Sequence, residues 1–351
     1  MVAPHAPFPS VAPARAIPRA AMPIAHFSHF HPVALDLGTA WTRIASDEGR
    51  HFSTRTERRG VPGVLAGAVA DPDTCAEILQ DLFRTVRPLS PFARRLAVVA
   101  TLSPSASPGE RQALISTLYR SGASSVSLIP QPIAAALGAG LEPASEYAHL
   151  VVDVGDGFTE YSVIRAGKVE VSEAVKVGCG AIGKAIAAHA PHLDGQQTRE
   201  LLRWLGTHRL GDAEGGRNVA APVDGLSGEL LEELWASLDD TCDFLVQGAL
   251  QLFRQLPDRT ACEVIENGLT LVGGGAMIRE LRLRFAERTG LQVRAPANPL
   301  TAIIEGAVQV LPYASVPGLL PEENYKTDHS PYHHGFHFQS RAEHSPFRGR
   351  N

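Results

Sequence analysis

The chain has 351 residues, 44% of them hydrophobic and 20% charged, which is enough for a large core and favours two domains over one. A formal net charge of −5 argues against a nucleic-acid surface, and no apolar run reaches the ~18 residues that a membrane-crossing helix needs. The four cysteines, Cys75, Cys179, Cys242 and Cys262, are far apart with no CxxC pair, a pattern of idle thiols in a reducing, cytoplasmic setting rather than of disulfides or zinc.

Residues 1–31 are rich in proline and alanine, with two arginines and no acid. Proline interrupts any signal-like apolar core, so a disordered arm is expected, with a membrane-touching arm as the alternative. VALDL (33–37) and TRIAS (42–46) read as strands around a tight glycine turn. Residues 74–86 carry helical apolar spacing, and RLAVVATL (95–102) is a buried strand. At 107–122 a helix has Ser107 to cap it, Pro108 in its first turn and Gly122 to stop it. SVSLI (125–129) is a strand, and PIAAALGAGL (132–141) is a small-residue helix suited to close packing. LVVDVG then opens a second strand-turn-strand, followed by a hairpin turning at Ala166–Gly167. A long amphipathic helix is expected over 225–257, with Leu230, Leu231, Leu234, Trp235, Leu238, Phe244, Leu245, Leu252 and Phe253 on one broad face. LTLV (269–272), GGGA, a helix over 277–288, the strand LQVRA and a last helix over 299–311 follow. The tail from 321 to 351 is polar and carries five histidines, read as disordered rather than as a metal site. Strands alternating with helices give an α/β class.

Two stretches echo each other. ALDLGTAWTRIAS and VVDVGDGFTEYSV share Asp-x-Gly-x-x-x-Thr, so Asp36, Gly38 and Thr42 match Asp153, Gly155 and Thr159. A duplicated fold would set two such hairpins face to face across a cleft. Turn glycines let backbone N–H groups approach phosphate, and Thr39, Thr42 and Thr159 offer hydroxyl donors. The aspartates would repel phosphate directly, but can hold the waters of a Mg²⁺ ion between themselves and the ligand. Ordinary hairpin turns explain either stretch alone; the repetition, together with the strand–GGG–helix at LTLVGGGAMIREL, favours a nucleotide.

In this order the three elements resemble the two phosphate loops and the adenosine loop of the actin-like ATPase superfamily. LIPQPIAAALGAGL resembles its first connecting segment. Within the superfamily, ALDLGTAWT, PIAAALGAGL, the VVDVG hairpin and LVGGGAMIRELRLRFAERTGLQVRAPANPLTAIIEGA are most similar to MreB proteins. The resemblance implies an actin-like (ribonuclease H-like) duplicated two-domain fold with a nucleotide cleft between the halves. Domain I would span 32–150 with a reduced small subdomain. Domain II would span 151–312, its last helix packing back on domain I.

The resemblance also implies ATP and Mg²⁺ as cofactors, with Asp36 and Asp153 holding the hydrated metal. Gly38, Thr39, Ala40, Trp41 and Thr42 would face phosphate, as would Gly155, Asp156, Gly157, Phe158 and Thr159. Gly273, Gly274, Gly275, Ala276 and Met277 would face adenosine. Gln131 and Asp153 would be the catalytic pair, Gln131 placing the attacking water. Glu200 and Arg203, three apart on one helix, fit adenosine contacts or a surface ion pair equally well.

Gly155-Asp156-Gly157 departs from the three glycines usual in MreB and looks like the actin form of the loop. Gln131 likewise stands where MreB has glutamate. Residues 47–66 are too few for the usual small subdomain, with room for two short strands at most, so weak or altered filament formation is expected. The expected partners are copies of the chain itself and cell-wall or division machinery, with peripheral membrane contact. A non-catalytic interaction protein retaining the nucleotide fold is the alternative. A sugar or acetate kinase would need a substrate domain that the sequence does not display.

Overall fold

The computed structural model describes residues 30–86, 95–206, 222–223 and 226–313. The N-terminal arm up to residue 29 and the histidine-rich tail lie outside the described residues.

Two five-stranded sheets share one plan. The first contains β1 (Phe30–Leu37), β2 (Trp41–Ser46), β3 (His51–Arg55), β8 (Arg95–Leu102) and β9 (Ser125–Pro130), in the order β3-β2-β1-β8-β9. The second contains β10 (His149–Val154), β11 (Thr159–Arg165), β12 (Lys168–Val175), β13 (Leu269–Val272) and β14 (Val293–Arg294), in the order β12-β11-β10-β13-β14. In each, the first three strands in sequence pair antiparallel and the later two join in parallel. The sequence echo is thus a structural repeat: an α/β, actin-like duplicated fold. Six consecutive residues of β1 and five of β10 are buried, as central strands covered on both faces require. β1 starts three residues earlier than expected because His31, Pro32 and Phe30 pair with β8, and the buried His31 ring bonds the Val86 carbonyl at 2.9 Å.

Helices α1 (Pro72–Val86) and α2 (Pro108–Arg120) cover one face of the first sheet. In α2 Ser107 and Glu110 form a reciprocal capping box. The second sheet packs on α4 (Gly180–His189), α5 (Gly195–Leu205), α6 (Gly228–Arg254) and α8 (Arg279–Thr289). Between the sheets lie α3 (Gln131–Gly138) and α9 (Ala302–Val310), sharing a core with Ala34, Val99, Val151 and Val272. Their backbones nearly touch: a Cβ on Gly138 would sit 1.7 Å from the Ala302 carbonyl oxygen, and one on Gly306 1.8 Å from that of Ala134. Only small residues permit that approach.

Several expectations need correction. Residues 47–66 hold not two strands but β3 plus β4 (Glu57–Arg58), β5 (Val61–Pro62) and β6 (Val64–Leu65), and β6 pairs with β7 (Ala68–Val69). Hairpins this short close because Arg59–Gly60 and Ala66–Gly67 both have positive φ, matching the Ala166–Gly167 turn. α4 and α7 (Asp258–Asn267) were not anticipated. Phe244 is 37% exposed, off the buried face of α6.

Candidate functional site

The two hairpins are backbone replicas. Gly38 N–H donates to the Trp41 carbonyl at 3.1 Å, and Gly155 N–H to the Phe158 carbonyl at 2.9 Å. A Cβ on either glycine would meet that same carbonyl oxygen at 2.9 Å. Across the first hairpin Asp36 pairs with Arg43; across the second Asp153 pairs with Glu160. The turns touch at Thr39, whose methyl would lie 3.0 Å from a Cβ on Gly157.

Both turns open into one cavity of about 710 Å³. Of the expected residues, its wall includes Asp36, Gly38, Thr39, Ala40, Trp41, Gln131, Asp153, Gly155, Asp156, Phe158, Arg203, Gly273, Gly274 and Met277. The third glycine element belongs there for a steric reason. Gly273 has φ +80°, and a Cβ on it would lie 2.4 Å from Asp153 Oδ1.

Other expected residues do not line the cavity. Thr42 is fully buried with its hydroxyl 2.9 Å from that of Thr56, and the buried Thr159 hydroxyl donates to the Val177 carbonyl at 2.8 Å. Both brace the hairpins instead of offering donors to a ligand. Gly157 is turned toward Thr39, while Gly275 and Ala276 pack inward, Gly275 against Val154. Glu200 accepts from Gln196 Nε2 at 2.9 Å along its own helix, so of the Glu200–Arg203 pair only Arg203 reaches the wall.

Sequence reasoning missed several wall residues: Arg43, Arg55, Thr101, Ser103, Cys179 and Lys184. Arg43 was within reach, since hairpin register places the residue seven after the aspartate opposite it. Arg55, which stacks over Trp41 at 5.3 Å, and Lys184 arrive from β3 and α4 and carried no motif signal.

Burial governs the electrostatics. It raises Asp153 to about 6, against the Gln131 hydrogen bond and with the help of nearby Asp36. It raises Asp36 despite the Arg43 guanidinium, and Asp156 despite Arg55 and Lys184. The extra acid of the second loop is therefore flanked by two cations. Glu160, wholly buried, is pushed up to about 8 although it accepts from Ser103 at 2.5 Å and Ser172 at 3.0 Å. Burial lifts the Cys179 thiol to about 12, which makes it a poor nucleophile.

Gln131, the first residue of α3, donates from Nε2 to Asp153 Oδ2 at 2.7 Å. The carboxamide is thereby oriented, with its oxygen as the remaining acceptor for water. Asp36 is ion-paired, with Arg43 Nη1 3.0 Å from its Oδ2, whereas Asp153 is met by the neutral Gln131 amide. Among the described residues no group of three or more His, Cys, Asp or Glu side chains is arranged to hold a metal ion. Nor, among them, is any helix long and apolar enough to cross a membrane.

A model of the MreB/Mbl protein family matches residues 53–316. The cell shape-determining protein MreB of Escherichia coli (strain K12) is 28% identical over 325 residues, covering 80% of this chain and 92% of that one. Among solved structures, MreB5 of Spiroplasma citri bound to ADP superposes with a TM-score of 0.69 at 20% identity, covering 81% of this chain and 97% of that one. A MamK double helical filament superposes with a TM-score of 0.65 at 14% identity, covering 80% and 98%.

Proposed function

Because the chain belongs to the MreB/Mbl protein family, we propose that it is an actin-like cell-shape protein that binds ATP in the cavity between its two halves. The observation that carries this reading is the mirrored pair of glycine turns opening into one cavity that a third glycine turn closes. The turns at Gly38–Trp41 and Gly155–Phe158 cradle the phosphates, and Gly273, Gly274 and Met277 the adenosine. A similar protein is known bound to ADP. Asp153 and the Gln131 carboxamide hold a water near the terminal phosphate. Neither is a strong base, so hydrolysis is slow and serves as a conformational timer rather than to make product. Copies of the chain associate, weakly or in altered geometry given the abbreviated hairpins of 47–71, and act with cell-wall machinery at the inner membrane face.

The hydrogen bond between Gln131 and Asp153 also favours a second reading, nucleotide binding without turnover, because it draws the carboxamide toward a carboxylate. Calorimetric titration with ATP and a phosphate-release assay separate the two, with Asp153→Ala as control. Saturable binding with release above the control is the expected result. Binding without release selects the second reading, and no binding ends both.

A further inference from the structure

Resting on the nucleotide reading, we infer that residues 56–69, the abbreviated hairpins of the first half, form a strap that gates nucleotide entry and release. Two aromatic residues of the glycine turns hold it, Trp41 at its root and Phe158 at its tip. The strap is one hairpin thick. Leu65, 55% exposed, faces solvent, while Gly67, Ala68 and Val69 line the cavity.

The echo between the two turns extends further than glycine and threonine. Each turn ends in an aromatic residue five after its aspartate, Trp41 in the first and Phe158 in the second. Both line the cavity. Backbone donors that cradle phosphate have no use for a ring at this position. The strap supplies the use. Arg55, the residue before it, stacks over Trp41 at 5.3 Å. At the far end Gly67, with φ +81°, lies against Phe158, and a Cβ on it would stand 3.7 Å from the ring.

The two attachments differ in kind. The root is built into the first half. Thr56 N–H donates to the Ala40 carbonyl at 3.1 Å, Gly63 N–H to the Thr56 carbonyl at 2.9 Å and Ala70 N–H to the Gly63 carbonyl at 2.9 Å. Val64 is wholly buried in the core beneath α1, and a Cβ on Gly63 would meet the Cys75 backbone at 3.1 Å. The tip instead rests on a turn that belongs to the second half. That contact is a glycine against a ring face, which is dispersion and apolar burial without a buried backbone ladder. The Arg55 charge also acts across the cleft on Asp156. When the halves part, the tip therefore leaves Phe158 while the root stays fixed, and one wall of the cavity opens to solvent.

The test is stopped-flow mixing of the full chain with N-methylanthraniloyl-ATP, in which the association rate constant is the deciding readout. Phe158→Ala removes the seat of the tip. Association and release should both rise by about tenfold, and the dissociation constant should move less than about threefold. A second variant, two glycines inserted after Gly67, loosens the exposed tip and leaves the second turn untouched. It should raise both rates by at least about threefold, and it carries the test if Phe158→Ala does not fold. A ring that only touched the ligand would speed release in Phe158→Ala and leave association unchanged in both variants. That result overturns the gate and leaves ATP binding standing. So do wild-type rates in either variant once circular dichroism shows it folded. A wild-type chain that binds neither the analogue nor ATP overturns the nucleotide reading itself and this inference with it.

Discussion

The two glycine hairpins share a backbone and differ in charge. At the position opposite the aspartate, β1–β2 places Arg43 and β10–β11 places Glu160. One aspartate therefore sits in an ion pair, while the other sits beside a second carboxyl group and takes its hydrogen bond from an amide across the cleft. A duplicated fold keeps what the backbone demands, glycine at the turn and threonine beneath it. It releases what only the side-chain chemistry demands. The two halves then present different charge to the one cavity they line.

The largest expected effect separates the hairpins by pH. Glu160 holds its proton to about pH 8 in the folded chain, whereas an unfolded glutamate releases it near 4.5. Between those values the folded state binds more protons, so its stability is full at the acid end and is lost as pH rises through about 8. Asp153 acts with the same sign but finishes by about 6. Urea unfolding between about pH 6 and 9 then reads Glu160 through the difference between the wild-type chain and Glu160→Gln, with an expected loss of about 3 kcal/mol from this group. Glu160→Gln should flatten that slope and be the more stable chain at pH 9. Parallel profiles for the two chains would show that the buried carboxyl is already ionised at neutral pH, and the contrast between the hairpins would widen to a cation against an anion.

A smaller effect checks that the backbones are equivalent. Gly38→Ala and Gly155→Ala each push a Cβ to 2.9 Å from a carbonyl oxygen of the same turn. Each should cost about 2 kcal/mol in urea unfolding, and the two should agree within about 1 kcal/mol. One substitution tolerated and the other severe would mean that the replicas are held by different neighbours.

Much of this contrast was legible before any coordinates. The Asp-x-Gly-x-x-x-Thr echo locates both turns and the central strand of each sheet. Ser107 with Pro108, the Ala166–Gly167 turn and the alanine run of α3 signal their elements through local chemistry. Legibility failed where the signal is not local. α4 and α7 have no side-chain cap at Cys179 or Pro257, and their spacing is masked by glycines in one and by the adjoining long helix in the other. Arg55 and Lys184 enter the cavity from separate elements, so no spacing in the chain joins them to it. Glu200 failed for a different reason: on a helix surface, a neighbour one turn away competes for its carboxylate.

The smallest effect concerns the threonines, where sequence and structure part most clearly. A hydroxyl at the seventh position of the shared motif reads as a phosphate donor, yet Thr42 and Thr159 are both wholly buried beneath their turns. Thr42→Val would strand the hydroxyl of Thr56, itself buried, and Thr159→Val would strand the Val177 carbonyl. Each should lower unfolding free energy by about 1–2 kcal/mol, the cost of an unmade buried hydrogen bond. Because neither hydroxyl reaches the cavity, ATP affinity measured by calorimetry should change less than about threefold in either variant. Thr39 is different, since it lines the cavity itself, and Thr39→Val is the matched control that should weaken binding. If Thr42→Val instead lost tenfold in affinity while keeping its stability, the hydroxyl would have to swing out of its bond with Thr56 to meet the ligand. The turn would then be a moving part rather than a fixed cradle.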